Sequence, residues 1–178
     1  TNGPYPADGT NVRDGQVVNV LDQTGVLRRD ITSSFGDLEG SVDGIPFELE
    51  VTLVNVNAAC APLANLAMYV WHCDAEGRYS LYTVPEANWL RGLQVSDADG
   101  VSRFTTILPG CYEGRWPHIH FEVFAGPGQA MNGQQALLTS QFAIPGTGLD
   151  EVYARDRRYA ASVGPMSRVS LTRDNVFG

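Results

Sequence analysis

The sequence has no apolar run approaching the roughly 18–20 residues that a membrane-spanning helix requires. It has little positive charge: 12 Lys plus Arg stand against 20 Asp plus Glu, a formal net charge of −8. Neutralising phosphates takes a basic face, so this balance argues against a nucleic-acid partner and disfavours an anionic membrane surface. No internal repeat, low-complexity tract or charge run is present. Cysteine is scarce. Cys60, Cys73 and Cys111 allow one pair and a leftover thiol, or three reduced thiols, and none stands in a CxxC-type metal pair. Helix signals are thin, confined to one or two turns in Leu149–Tyr159 with Asp150 as a start.

What is there suits one folded domain spanning residues 1–178, with 43% hydrophobic residues, 7 Phe, 7 Tyr and 3 Trp. A load of 19 glycines and 10 prolines divides the chain into short segments. Pro46–Val56 alternates apolar and polar residues and reads as a half-buried strand. Leu66–Cys73 is more uniformly apolar and reads as an interior strand. Val101–Ile107, Ile119–Phe124 and Gln141–Ile144 follow, with Val169–Arg173 as a last edge. The stretch up to about Gly44 shows little periodicity and reads as loops wrapped on the rest. Short strands separated by turn residues predict an all-β fold, an antiparallel β-sandwich with long connecting loops and little helix.

His118 and His120 stand in the run RWPHIHFEVF. On a strand, residues i and i+2 point the same way, about 6.6–6.8 Å apart along the chain, so two imidazoles can converge on one metal. A lone HxH is as readily structural. Glu122 continues that face, but i to i+4 spans about 13 Å, while metal–ligand bonds are near 2 Å. It therefore reads as a solvated or salt-bridged strand residue, and any further ligands come from elsewhere. His72, near a strand end, reads as structural. Tyr79 and Tyr112, taken singly, read as packing.

Four motifs change this. WHCDAEGRYS, LRGLQVSDADG, FTTILPGCYEGRWPHIHFEV and LTSQF, in that order, resemble the intradiol ring-cleaving dioxygenases, relatives of catechol 1,2-dioxygenase and protocatechuate 3,4-dioxygenase. The similarity is greatest to the short, secreted-type members. It covers roughly Leu27 to Phe142, with LRRDI before the first strand and NGPY near the start. The resemblance implies a non-haem ferric ion, Fe(III), held by Tyr79, Tyr112, His118 and His120. It implies catalytic roles for Tyr112, which leaves the metal and takes a substrate proton, for Arg115, which stabilises charge on the activated ring, and for Gln141, which orients a reacting species. For Arg115 the competing reading is a structural ion pair with one of the many acids. For Gln141 it is a strand residue bonded to backbone. Pro4 and Tyr5 match a family segment near the substrate.

The implied reaction is cleavage of a catecholic ring between its two hydroxylated carbons by O2, giving a cis,cis-muconate-type diacid. The residue types suit it. Two tyrosinates and a hydroxide balance a trivalent ion, neutral imidazoles add no charge, and phenolate favours the ferric state. The implied partners are a small catecholic substrate and O2, with no nucleic acid and no membrane. A secreted or cell-surface location is implied too. The larger relatives dimerise through an N-terminal helical segment that this chain lacks, so a monomer or weak homo-oligomer is expected. The resemblance also pairs Cys60 with Cys73, although an extended stretch between them opposes that bond. Cys111, where secreted relatives usually have Trp, is expected in the pocket wall. Arg91 is a candidate for attracting a carboxylated substrate. Two other readings stay open. One is a non-enzymatic β-sandwich module binding carbohydrate or an aromatic polymer. The other is copper or zinc at the same histidines.

Overall fold

The computed structural model describes residues 3–178. The strands are β1 (Asp8–Arg13), β2 (Gln16–Asn19), β3 (Pro46–Thr52), β4 (Val54–Asn55), β5 (Ala61–Pro62), β6 (Ala67–Trp71), β7 (Arg91–Val95), β8 (Val101–Ile107), β9 (His118–Phe124) and β10 (Leu138–Ala143). Three short helices interrupt the C-terminal half: α1 (Pro127–Met131), α2 (Leu149–Arg155) and α3 (Ala160–Met166). Among the described residues no helix is long and apolar enough to cross a membrane.

The antiparallel all-β architecture expected from the sequence is present. One sheet has the order β10-β9-β6-β7, with every neighbouring pair antiparallel. A second layer is the antiparallel pair β3–β8. Residues 26–31 run between the two: Arg28 N–H donates to Leu93 O at 3.0 Å and Ile31 N–H to Thr105 O at 3.0 Å, so this segment bonds to β7 on one side and β8 on the other.

The register of β9 decides what the molecule can do. Ile119, Phe121 and Val123 enter a core shared with Met68 and Val70 of β6, Phe104 and Ile107 of β8, and Phe47, Leu49 and Val51 of β3. Full burial of such side chains contributes about 1.5–3 kcal/mol each. A one-residue slip would exchange these residues for His118, His120 and Glu122. Core burial thus fixes the two histidines on the opposite face. There, Ala67, Tyr69 and Trp71 of β6 share a second cluster with Val20, Leu21 and Val26.

Several local expectations are corrected. The N-terminal stretch is not all loop, because β1 and β2 form an antiparallel hairpin. β3 ends at Thr52, and Val54–Asn55 pairs instead with Ala61–Pro62. The segment expected as a last edge strand holds a 3-10 turn at Leu171–Arg173. Cys60, Cys73 and Cys111 are all free. The Cys60–Cys73 bond fails because Cys60 is exposed beyond a 3-10 turn while Cys73 is buried past the end of extended β6. Cys111 is 1% exposed and packs in the hydrophobic core.

Candidate metal centre

β9 supplies two of the donors. His118 Nε2 lies 2.9 Å from His120 Nε2. The register places Trp71 of β6 opposite His120, and the two rings stack at 4.9 Å with an interplanar angle of 12°. Tyr79 and Tyr112 arrive on loops, one between β6 and β7 and the other between β8 and β9. These loops are docked backbone to backbone: Gly110 N–H donates to Asp74 O at 3.0 Å. A Cβ at Gly110 would stand 2.6 Å from the carbonyl oxygens of both Asp74 and Ala75, so only glycine permits the approach.

The four expected ligand side chains lie in one continuous run of neighbouring polar atoms. Tyr79 Oη is 3.4 Å from Tyr112 Oη, and Tyr112 Oη is 3.2 Å from His118 Nε2. Four donors around one ion at bond lengths of about 2.0–2.2 Å would lie about 2.8–3.6 Å apart, and these spacings fall in that range. No group of three or more His, Cys, Asp or Glu that could hold a metal exists among the described residues, so the phenols are essential to the set.

Proton counting points the same way. His118 Nδ1 contacts Trp116 O at 2.5 Å and must donate to it, which leaves Nε2 a bare lone pair. His120 Nδ1 is buried with no hydrogen-bond partner among the described residues. Both rings are neutral. Burial pushes His118 down to about 4, and burial together with His118 pushes His120 down to about 2. Burial also raises the Tyr112 phenol to about 12 and Tyr79 well above the ordinary range. A bare lone pair on His118, a second neutral imidazole beside it and two phenols that ionise only beside a compensating charge fit a hard cation among them.

Arg115 and Gln141 border this cluster. Arg115 Nη1 is 3.5 Å from His118 Nε2, and Arg115 Nη2 donates to Gln141 Oε1 at 2.6 Å. The ion pair considered as an alternative for Arg115 also exists: Nε donates to Asp174 Oδ2 at 2.9 Å. Burial would raise the Asp174 carboxyl, but hydrogen bonds from Arg115 and the Trp116 and Val176 amides outweigh it and hold the group below its usual range. The Tyr5 ring packs against that of Tyr79 at 4.9 Å, tilted by 39°, so the N-terminal segment does flank the site; Asn2 of the NGPY stretch lies outside the described residues.

Other expectations are redirected. Glu122 is buried rather than solvated, and among the described residues it has no salt bridge. It is 4% exposed and accepts from Thr139 Oγ1 at 3.1 Å. With Asp8 and Thr139 it lines a cavity of about 470 Å³ further along β9 that contains none of the four ligand candidates. His72 is structural, buried between Cys73 O at 2.8 Å and Thr106 Oγ1 at 2.7 Å. Arg91 is fully buried and cannot greet a substrate from solution. Sequence reasoning missed Trp71 and Asp174. Strand pairing explains Trp71, whereas nothing local in the sequence marks Asp174.

Residues 38–146, more than half of the chain, match the family model of the dioxygenases, and the chain belongs to that family. Its fold is similar to that of an intradiol ring-cleavage dioxygenase from Tetranychus urticae, with a TM-score of 0.68, 24% identity and coverage of 87% of this chain and 73% of that one. It is also similar to the dioxygenase domain of a dioxygenase–carbohydrate-binding protein fusion from Streptomyces sp. SirexAA-E, with a TM-score of 0.59, 24% identity and coverage of 100% and 80%. No curated protein matches. The resemblance seen in the motifs thus holds at the level of family and fold.

Proposed function

We propose that this chain is an intradiol dioxygenase that cleaves a catecholic ring between its two hydroxylated carbons with O2. The observation that carries the reading is the clustering of two phenol oxygens and two imidazole nitrogens as successive neighbours, at spacings of 3.4, 3.2 and 2.9 Å. Tyr79, Tyr112, His118 and His120 would hold a non-haem ferric ion. When bound, that ion would supply Lewis acidity and oxidising power to a chelated catechol.

The chain's own residues divide the remaining work. Tyr79 is 1% exposed and fixed, whereas Tyr112 is only half-buried. Tyr112 is therefore the phenol with room to move, and as a phenolate it would accept a catechol hydroxyl proton. Arg115, beside His118, places positive charge next to the anionic ring. Gln141, held by Arg115, orients the oxygens of the reacting substrate.

The test is oxygen consumption on a panel of catechols with product identification. The expected results are about one iron per chain, a reddish-brown colour from phenolate-to-iron charge transfer, and ring opening between the two hydroxyls. Colourless protein that stays inactive after ferric loading would defeat the proposal. Copper or zinc found by elemental analysis, in material purified without a metal-chelate column, would redirect it.

A further inference from the structure

The end of the chain returns to the ligand cluster. The 3-10 turn Leu171–Arg173 delivers Asp174, whose side chain is 0% exposed although Arg173, Asn175 and Val176 around it are exposed. Asp174 Oδ2 accepts from Arg115 Nε at 2.9 Å and from Trp116 N–H at 2.8 Å. Oδ1 accepts from Val176 N–H at 2.8 Å, Phe177 N–H at 3.3 Å and Arg115 Nη2 at 3.4 Å. The same carboxylate therefore grips one edge of the guanidinium and folds the following residues over it, with the Phe177 ring 6.3 Å from that of His118.

This grip answers a specific difficulty. Arg115 Nη1 stands 3.5 Å from His118 Nε2, so a cation held by His118 repels it. A long, unpinned arginine would swing away from such a centre. A carboxylate on its far edge opposes that motion, and Arg115 then presents Nη1 to the cluster while Nη2 holds Gln141. Asp174 lies outside the stretch that matches the family model.

We propose that Asp174 is a positioning residue for ring cleavage: it holds Arg115 against the repulsion of the metal centre so that one guanidinium edge faces the substrate. The inference rests on the ring-cleavage reading above. Asp174 touches no reacting atom and acts only through Arg115.

A double-mutant cycle on the full iron-loaded chain tests it. Asp174→Asn is expected to lower kcat about 10- to 100-fold. Anaerobic catechol binding, read from the charge-transfer band, is expected to weaken less than about threefold. In an Arg115→Gln background the same change is expected to lower kcat by less than about twofold further, because the group it positions is gone. Losses that multiply independently would overturn the proposal, as would an undiminished kcat in Asp174→Asn. Should Asp174→Asn fail to fold, Asp174→Glu keeps the charge and displaces the guanidinium. A severalfold loss of kcat with an unchanged melting curve is expected there, and full activity would refute the inference. If the wild-type chain itself shows no iron-dependent oxygen uptake, the ring-cleavage reading fails and takes the inference with it. An active wild type with an indifferent Asp174 sinks the inference alone.

Discussion

Arg91 grips Ser80 twice: its Nε donates to Ser80 Oγ at 3.0 Å and its Nη2 to Ser80 O at 2.9 Å. Ser80 follows Tyr79 in the chain, so a guanidinium on β7 fixes the backbone of the loop that bears a candidate ligand. The remaining donor, Nη1, meets Pro6 O and Tyr69 Oη, each at 3.1 Å. Lysine cannot reproduce this fork. Arg91→Lys is expected to cost at least about 2 kcal/mol, because buried acceptors lose their donors. Iron retention during dialysis should fall as well. Urea melts and metal analysis check the two effects separately, and a stability loss with intact iron retention would confine Arg91 to the fold.

The two phenols are not equivalent. Tyr79 is sealed at 1% exposure, with the Tyr5 ring tilted against it at 4.9 Å, whereas Tyr112 is half-buried. Tyr79→Phe should therefore abolish iron retention. Tyr112→Phe should retain iron with an altered colour and lose about 100-fold or more in kcat, the scale of a missing proton acceptor. Absorption spectra and metal content of the two variants decide this. Equal loss of iron in both would argue against Tyr112 as the departing group.

How much of this was legible depended on where the information sits. The alternation of β3 and the apolar run of β6 are local, and both strands lie within a few residues of the expected segments. The shared face of His118 and His120 follows from strand geometry alone. β7 was not legible as a strand because its RGLQV carries a charged residue, Arg91, in the interior. The short helices α1 and α3 were invisible too, since Pro127–Met131 and Ala160–Met166 include glycine and proline, which weaken the helical signal. The tyrosines reach the site through loop docking, which no spacing rule describes, so only the motif resemblance selected them. Asp174 meets Arg115 across 59 positions of sequence, and only the folded chain reveals that contact.

The cysteines give a simple check on the fold. Cys60 is exposed, whereas Cys73 and Cys111 are each 1% exposed. Burial, then the charges of Asp74 and Cys111, pushes the Cys73 thiol far above its usual range; burial, then Glu113, raises Cys111 to about 12. The thiolate is the reactive form, so both are protected twice over. Under native conditions a thiol reagent should label one cysteine rapidly, identified as Cys60 by peptide mapping, and all three only after denaturation. Rapid native labelling of Cys111 would show that the loop carrying Tyr112 opens.

His72 should set part of the acid limit of stability. Its ring joins the end of β6 to β8, with Nδ1 donating to Cys73 O and Nε2 accepting from Thr106 Oγ1, so the neutral tautomer satisfies both nitrogens. Burial holds it at about 4, against an unperturbed 6.5. As pH falls below 6.5 the unfolded chain takes up a proton that the folded ring refuses until about 4, so stability declines through that window and is fully present above it. Between pH 7 and 5 this one group is expected to remove about 2 kcal/mol. In iron-free protein, His118 and His120 add losses of the same sign, so the informative quantity is the difference between wild type and His72→Gln. Urea melts at the two pH values should show the variant, though less stable at pH 7, losing about 2 kcal/mol less on acidification. Parallel losses in both proteins would mean that the folded His72 protonates as readily as the unfolded one.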